Sequence, residues 1–275
     1  MELLDLKGLA SNVRPTKWRL LPGLLPFAVG AVFYASSVIK LLPEAARRPA
    51  FFVGFLVAAL LALSVYWLPS IRPPAGVERW RIALPPVTFV AGGFLFYILL
   101  SSGWMRFVAV TAIMLTLLIY IMRLDAAETL VPGRDANSVV RLGRLLNLFA
   151  IFFAAVFMFG AGRFVSLSEV LTAAVFGVML AAINYESLQQ SGADRTLTVR
   201  ATAALTALGM ETYIGLSFLP TPYLANAAVL TVVCFTVGRS GVRILSGDIG
   251  TRGLKFGLVA ASLLIILVMA TARWL

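Results

Sequence analysis

Nine apolar blocks, most of them about 17–24 residues long, follow one another along this 275-residue chain, with charged stretches between them. No other feature constrains the fold as much. At 1.5 Å of rise per residue, a helix of about 20 apolar residues crosses roughly 30 Å of hydrocarbon. Water is absent there, so a crossing segment must pair its own backbone N–H and C=O groups, as a helix does. The blocks fall at 20–42, 50–68, 82–100, 104–122, 145–162, 167–188, 201–219, 223–237 and 254–272. The eighth is the shortest, and its sequence can run on toward Ile244. The expected fold is all-α: a polytopic transmembrane bundle of about nine spans forming one domain over 20–275. Residues 1–19 precede it as an interfacial segment.

Composition supports the same class. The chain is 60% apolar and only 13% charged, against about 25% charged in an ordinary soluble domain. Cys234 is the single cysteine and has no intramolecular disulfide partner. The absence of histidine removes imidazole acid–base chemistry and the usual zinc and haem ligation. Glu2 and Asp5 stand where a cleavable signal peptide would carry a basic region, so the first block is expected to act as an uncleaved anchor. The net charge of +11 sits at the ends of the blocks. No basic surface with interleaved aromatics exists away from the loops, and nucleic acid is not an expected partner.

Lys and Arg set the expected orientation. The N-terminal segment and the loops after spans two, four, six and eight hold 17 of the 23. Positive loops stay in the cytoplasm, so the expectation is N-in and C-out in a bacterial inner membrane. Loops on the outer side are short, as at 101–103 and the turn Pro220, Thr221, Pro222, which gives four hairpins and a ninth helix. Lys17, Trp18 and Arg19 form a lipid anchor of the kind that sits among anionic headgroups. Pro22, Gly30, Phe33 and Tyr34 recur 63 residues later as Pro85, Gly93, Phe96 and Tyr97, a trace of hairpin duplication. Each proline is expected near a helix start, where a missing N–H costs little.

Few residues offer chemistry. Glu211 lies well inside the seventh span, where a carboxyl costs about 2.5–3.5 kcal/mol on insertion scales. Ala203, Ala207, Glu211 and Gly215 recur at i+4, a stripe of small residues of the kind along which membrane helices pack. Glu211 is therefore expected to face another helix. Asn147, Asn184 and Asn226 are the other intramembrane polar candidates, expected mainly as interhelical glue. Asn184 and Glu186 lie at the cytoplasmic end of the sixth span, where loop water is within reach. Asp125, Glu128 and Asp135, after the fourth span, form a candidate Mg²⁺ site. The more ordinary reading is a solvated helix end balanced by Arg123, Arg134 and Arg141. UbiA-type prenyltransferases carry Asp-rich loops after even-numbered helices; the loop after span two here reads Ser70, Ile71, Arg72, Pro73, Pro74, so that membership fails. The glycines of 246–253 match no nucleotide-binding pattern, and no resident cofactor is expected.

Two stretches carry a resemblance. Ala83, Leu84, Pro85 and Pro86 lead to 94–100, and 211–220 reads Glu211 to Pro220 with Gly215 between them. Together with the even spacing of hairpins, they resemble an uncharacterised group of multi-spanning membrane proteins from candidate bacterial phyla. The resemblance implies a multi-span topology and no activity. Three functions remain open at this point. One is a non-enzymatic membrane component packing with lipids, a membrane protein partner or further copies of itself. Another is an ion- or proton-coupled transporter using Glu211, and the last an Mg²⁺-dependent lipid-modifying enzyme using Asp125, Glu128 and Asp135.

Overall fold

The computed structural model describes residues 17–38, 43–67, 78–129, 136–164, 169–189, 191–247 and 251–272. Nine helices lie among them, one for each apolar block: α1 (Lys17–Ser36), α2 (Glu44–Trp67), α3 (Arg79–Leu99), α4 (Gly103–Thr129), α5 (Ala136–Phe164), α6 (Glu169–Gln189), α7 (Arg195–Ser217), α8 (Tyr223–Leu245) and α9 (Thr251–Thr271). Four stretches are long and apolar enough to cross a membrane: Arg79–Leu99, Gly103–Leu124, Val139–Ala161 and Tyr223–Leu245. Shorter apolar stretches occupy Gly23–Ser36, Pro49–Ser64 and Lys255–Thr271. The eighth block does run on, to Leu245, and α5 starts well before its apolar stretch. Among the described residues the protein is thus all-helical, with four helices that can span a bilayer.

α3 is the hub. It packs most extensively on α5 and also meets α2, α4 and α6, while α5 continues the core to α8. Its residues are buried on nearly every side, as expected of a helix apolar all round. At Gly92 an added Cβ would come within 2.8 Å of a backbone atom, the Ala150 carbonyl oxygen on α5. Only glycine lets those two backbones meet. Gly30 and Gly93, the related positions of the two halves of the repeat, both face α4, at Met114 and Ile113. The aromatic positions diverge, for Tyr34 is exposed and Tyr97 buried.

Pro85 and Pro86 lie seven and eight residues into α3, deeper than the helix start where a proline is expected. A proline donates no hydrogen bond to the carbonyl four residues back. Pro86 therefore releases the Ile82 carbonyl, and the Tyr120 hydroxyl of α4 donates to it at 2.7 Å. Tyr120 is almost fully buried, so this bond closes a polar gap that water cannot reach. Toward the other end of α3, Phe33, Phe55, Phe94 and Tyr97 meet edge to face, and Phe51 joins them through a tilted contact with Phe94, in a cluster that ties α1, α2 and α3.

The connections that position the site have ordinary physical causes. α6 ends before Gly192, which adopts φ 72°, and α8 ends before Gly247 at φ 73°. A left-handed residue of this kind stops a helix, and glycine takes it without strain. Asp194 then caps α7, its carboxylate accepting from the Thr196 N–H at 3.0 Å.

Candidate functional site

The polar interior lies where α3, α5 and α6 meet. The Thr88 hydroxyl on α3 sits 3.1 and 3.0 Å from the Leu84 and Pro85 carbonyls and 3.2 Å from Asn147 Oδ1 on α5. Asn147 Nδ2 donates to Glu186 Oε2 on α6 at 3.0 Å. Thr88, Asn147 and Glu186 are each only 4% exposed. Tyr120 lies within electrostatic range of Glu186. Glu186 is therefore an interior carboxyl and does not face loop water, as its place near the end of the sixth block had allowed. The signal that finds it is the presence of Thr88 and Asn147 on neighbouring blocks, which needs the helix pairing to be known.

The other asparagines act as pins between helices. Asn184 Nδ2 lies 3.4 Å from Thr206 Oγ1, joining α6 to α7. Asn226 Nδ2 donates to the Leu216 carbonyl at 3.1 Å, and the Thr221 hydroxyl donates to Asn226 Oδ1. That pair holds the turn between α7 and α8 closed. Interhelical bonds of this kind contribute about 0.6 kcal/mol on average within membranes.

Glu211 departs from its expected place. It is exposed, as are Ala203, Ala207 and Gly215 on the same stripe. α7 turns the opposite face inward, through Thr198, Thr202, Gly209 and Leu216. The reason is steric. A Cβ on Gly209 would lie 2.4 Å from Leu180 Cδ2 and 3.2 Å from Cys234 Sγ, so this glycine sets the approach to α6 and α8. Nothing lies within 4 Å of a Cβ built on Gly215.

A second polar feature opens at the end of the bundle where α3 begins, α6 ends and α7 begins. This cleft, about 520 Å³ in volume, is lined by Glu78, Trp80, Leu84, Ala182, Tyr185, Gln189 and Arg195. Trp80 and Tyr185 stack with ring centroids 5.8 Å apart and planes 28° apart. The Trp80 indole donates to the Glu78 carboxylate, and Gln189 Nε2 donates to the Tyr185 hydroxyl at 3.1 Å. Both rings are thereby held in place.

Of the remaining candidates, Lys17, Trp18 and Arg19 form the first turn of α1, and Asp125 and Glu128 lie in the last turns of α4. Their side chains, and the whole of Asp135 and residues 1–16, lie outside the described residues. Among the described residues no group of three or more His, Cys, Asp or Glu side chains could hold a metal ion.

Comparison with protein-family models, curated proteins and solved structures finds no match. The class of the protein accordingly rests on its own fold: an all-helical chain with four apolar helices able to cross a membrane.

Proposed function

We propose that this is a nine-span protein of a bacterial cytoplasmic membrane, N-in and C-out, with a non-enzymatic role: it packs against a partner transmembrane helix through the open face of α7. One observation carries this reading. Glu211 is exposed on a stripe of small residues, with Ala203 and Ala207 before it and Gly215 after it on α7. A carboxyl facing lipid is costly, and such groups almost always face protein or a water-filled cavity. Ala203, Ala207 and Gly215 would let a second helix come close enough to bury Glu211 against a donor. That second helix belongs either to another copy of this chain or to a different membrane protein.

Native mass spectrometry of the protein released from lipid nanodiscs tests this. A mass above that of one chain, from a stable oligomer or a co-isolated protein, supports the reading. A bare monomer overturns it. The topology is tested separately with cysteines introduced at Ser102 and Ser191. A membrane-impermeant maleimide added to intact cells should label Ser102→Cys and reach Ser191→Cys only after permeabilisation; the reverse pattern would invert the orientation.

A second reading is favoured by Glu186, a buried carboxyl hydrogen-bonded at the junction of three helices. In a proton-coupled transporter this residue would carry the proton, in place of Glu211. Proton flux into proteoliposomes that is abolished by Glu186→Gln and retained in Glu211→Gln would move the assignment to a carrier.

A further inference from the structure

The cleft bounded by α3, α6 and α7 has a composition that neither reading uses. Its lining includes one anion, Glu78, one cation, Arg195, and a stacked pair of aromatic rings. Arg195 is exposed and makes no ion pair among the described residues. Its volume falls within the roughly 300–1,000 Å³ usual for pockets that take small ligands.

Its position says where a ligand would come from. Val170 and Val178 on α6 are 80% and 71% exposed, and Ala174 between them is exposed too. At i+4 the same face continues to Ala182 and then, one turn further, to Tyr185 and Gln189 in the cleft. An apolar stripe facing outward thus leads directly into a polar pocket at the helix ends. Trp and Tyr at this level are what a bilayer interface selects. The shape fits an amphiphile, with its chains along α6 and its polar end in the cleft.

The charges then select the headgroup. Arg195 suits a phosphate, for which a guanidinium is a strong charge-assisted donor. Glu78 disfavours a second negative charge beside it and suits a cation. Trp80 and Tyr185 stack on each other and form no open cage around a quaternary ammonium, the arrangement through which choline is usually held. Glu78 also spends part of its carboxylate on the Trp80 indole, which leaves acceptor capacity for an N–H donor. We propose that this cleft binds the headgroup of a zwitterionic phospholipid carrying a primary ammonium, with phosphate on Arg195 and ammonium on Glu78. The shared chemistry is that of phosphoethanolamine, and the α6 stripe assigns it to a membrane lipid in preference to a free metabolite.

The test is native mass spectrometry of the detergent-solubilised full chain, titrated with dioleoyl phosphatidylethanolamine, phosphatidylcholine or phosphatidylglycerol. The ethanolamine lipid should be retained about tenfold better than the other two, the weight of one charged hydrogen bond. Glu78→Gln should abolish that preference, whereas Arg195→Ala should weaken retention of all three lipids alike and Arg195→Lys should restore part of it. Both positions are exposed, so the variants should keep the wild-type melting temperature. Equal retention of the three lipids overturns the proposal, as does a preference unchanged in Glu78→Gln or an overall retention unchanged in Arg195→Ala. Displacement of the lipid by millimolar glycerophosphoethanolamine, with equal affinity for both, would overturn the membrane source and assign the site to a soluble ligand. Because none of these readouts depends on Glu211 or on the outward stripe of Ala203, Ala207 and Gly215, their failure leaves the partner-helix reading untouched.

Discussion

Two regions of this bundle are built from the same ingredients and behave in opposite ways. At the junction of α3, α5 and α6, Gly92 meets the α5 backbone and Glu186 is enclosed beside Asn147 and Thr88. On the outward face of α7, Ala203, Ala207, Glu211 and Gly215 are all exposed among the described residues. Both have small residues and one carboxyl. In the first, the neighbouring helices supply backbone at contact distance and polar side chains at the right depth. In the second, the described residues supply neither. Small residues permit close packing, and a complementary surface is what produces it.

The contrast can be tested by changing one region at a time. The largest effect should come from Gly92→Val, which drives side-chain atoms into the Ala150 backbone; a loss near the upper end of about 1–3 kcal/mol is expected. Gly215→Val, in open space, should leave the thermal unfolding of the chain unchanged. If the two variants melt alike, the contrast is wrong. Next in size is Glu186→Ala, which leaves the buried Asn147 amide without that acceptor and should cost about 2 kcal/mol. Glu211→Ala should stay within about 0.5 kcal/mol of wild type. Tyr120→Phe should cost less than Glu186→Ala, about 1 kcal/mol, because it frees a single carbonyl, that of Ile82. Infrared spectra of the amide I band should show that carbonyl shifting in the variant.

The helices were legible in the sequence because each apolar block is long and each break carries charge, glycine or proline. All nine blocks correspond to a helix among the described residues. Which residues face inward was harder to read. The i+4 stripe on α7 is visible in one dimension, yet the packed face is set by Gly209 against Leu180 and Cys234, three positions far apart in the chain. Glu186, placed by the sequence within reach of loop water, is misjudged for a related reason. Nearness to a helix end suggests water, but α6 ends against α3 and α5, and both present polar groups there. The cleft was invisible for the same cause, since Glu78, Tyr185 and Arg195 come from three separate segments. The prolines misled in the other direction: α3 starts earlier than its apolar block, so Pro86 falls within the helix and needs Tyr120.

The most direct test of the partner-helix account is site-specific photo-crosslinking in native membranes. A benzophenone amino acid is placed either at Ala207, on the open face of α7, or at Thr202, on its packed face. The account predicts a covalent adduct of protein size from position 207 and only intramolecular products from position 202. An intermolecular adduct from position 202 but none from position 207, or none from either, would contradict it.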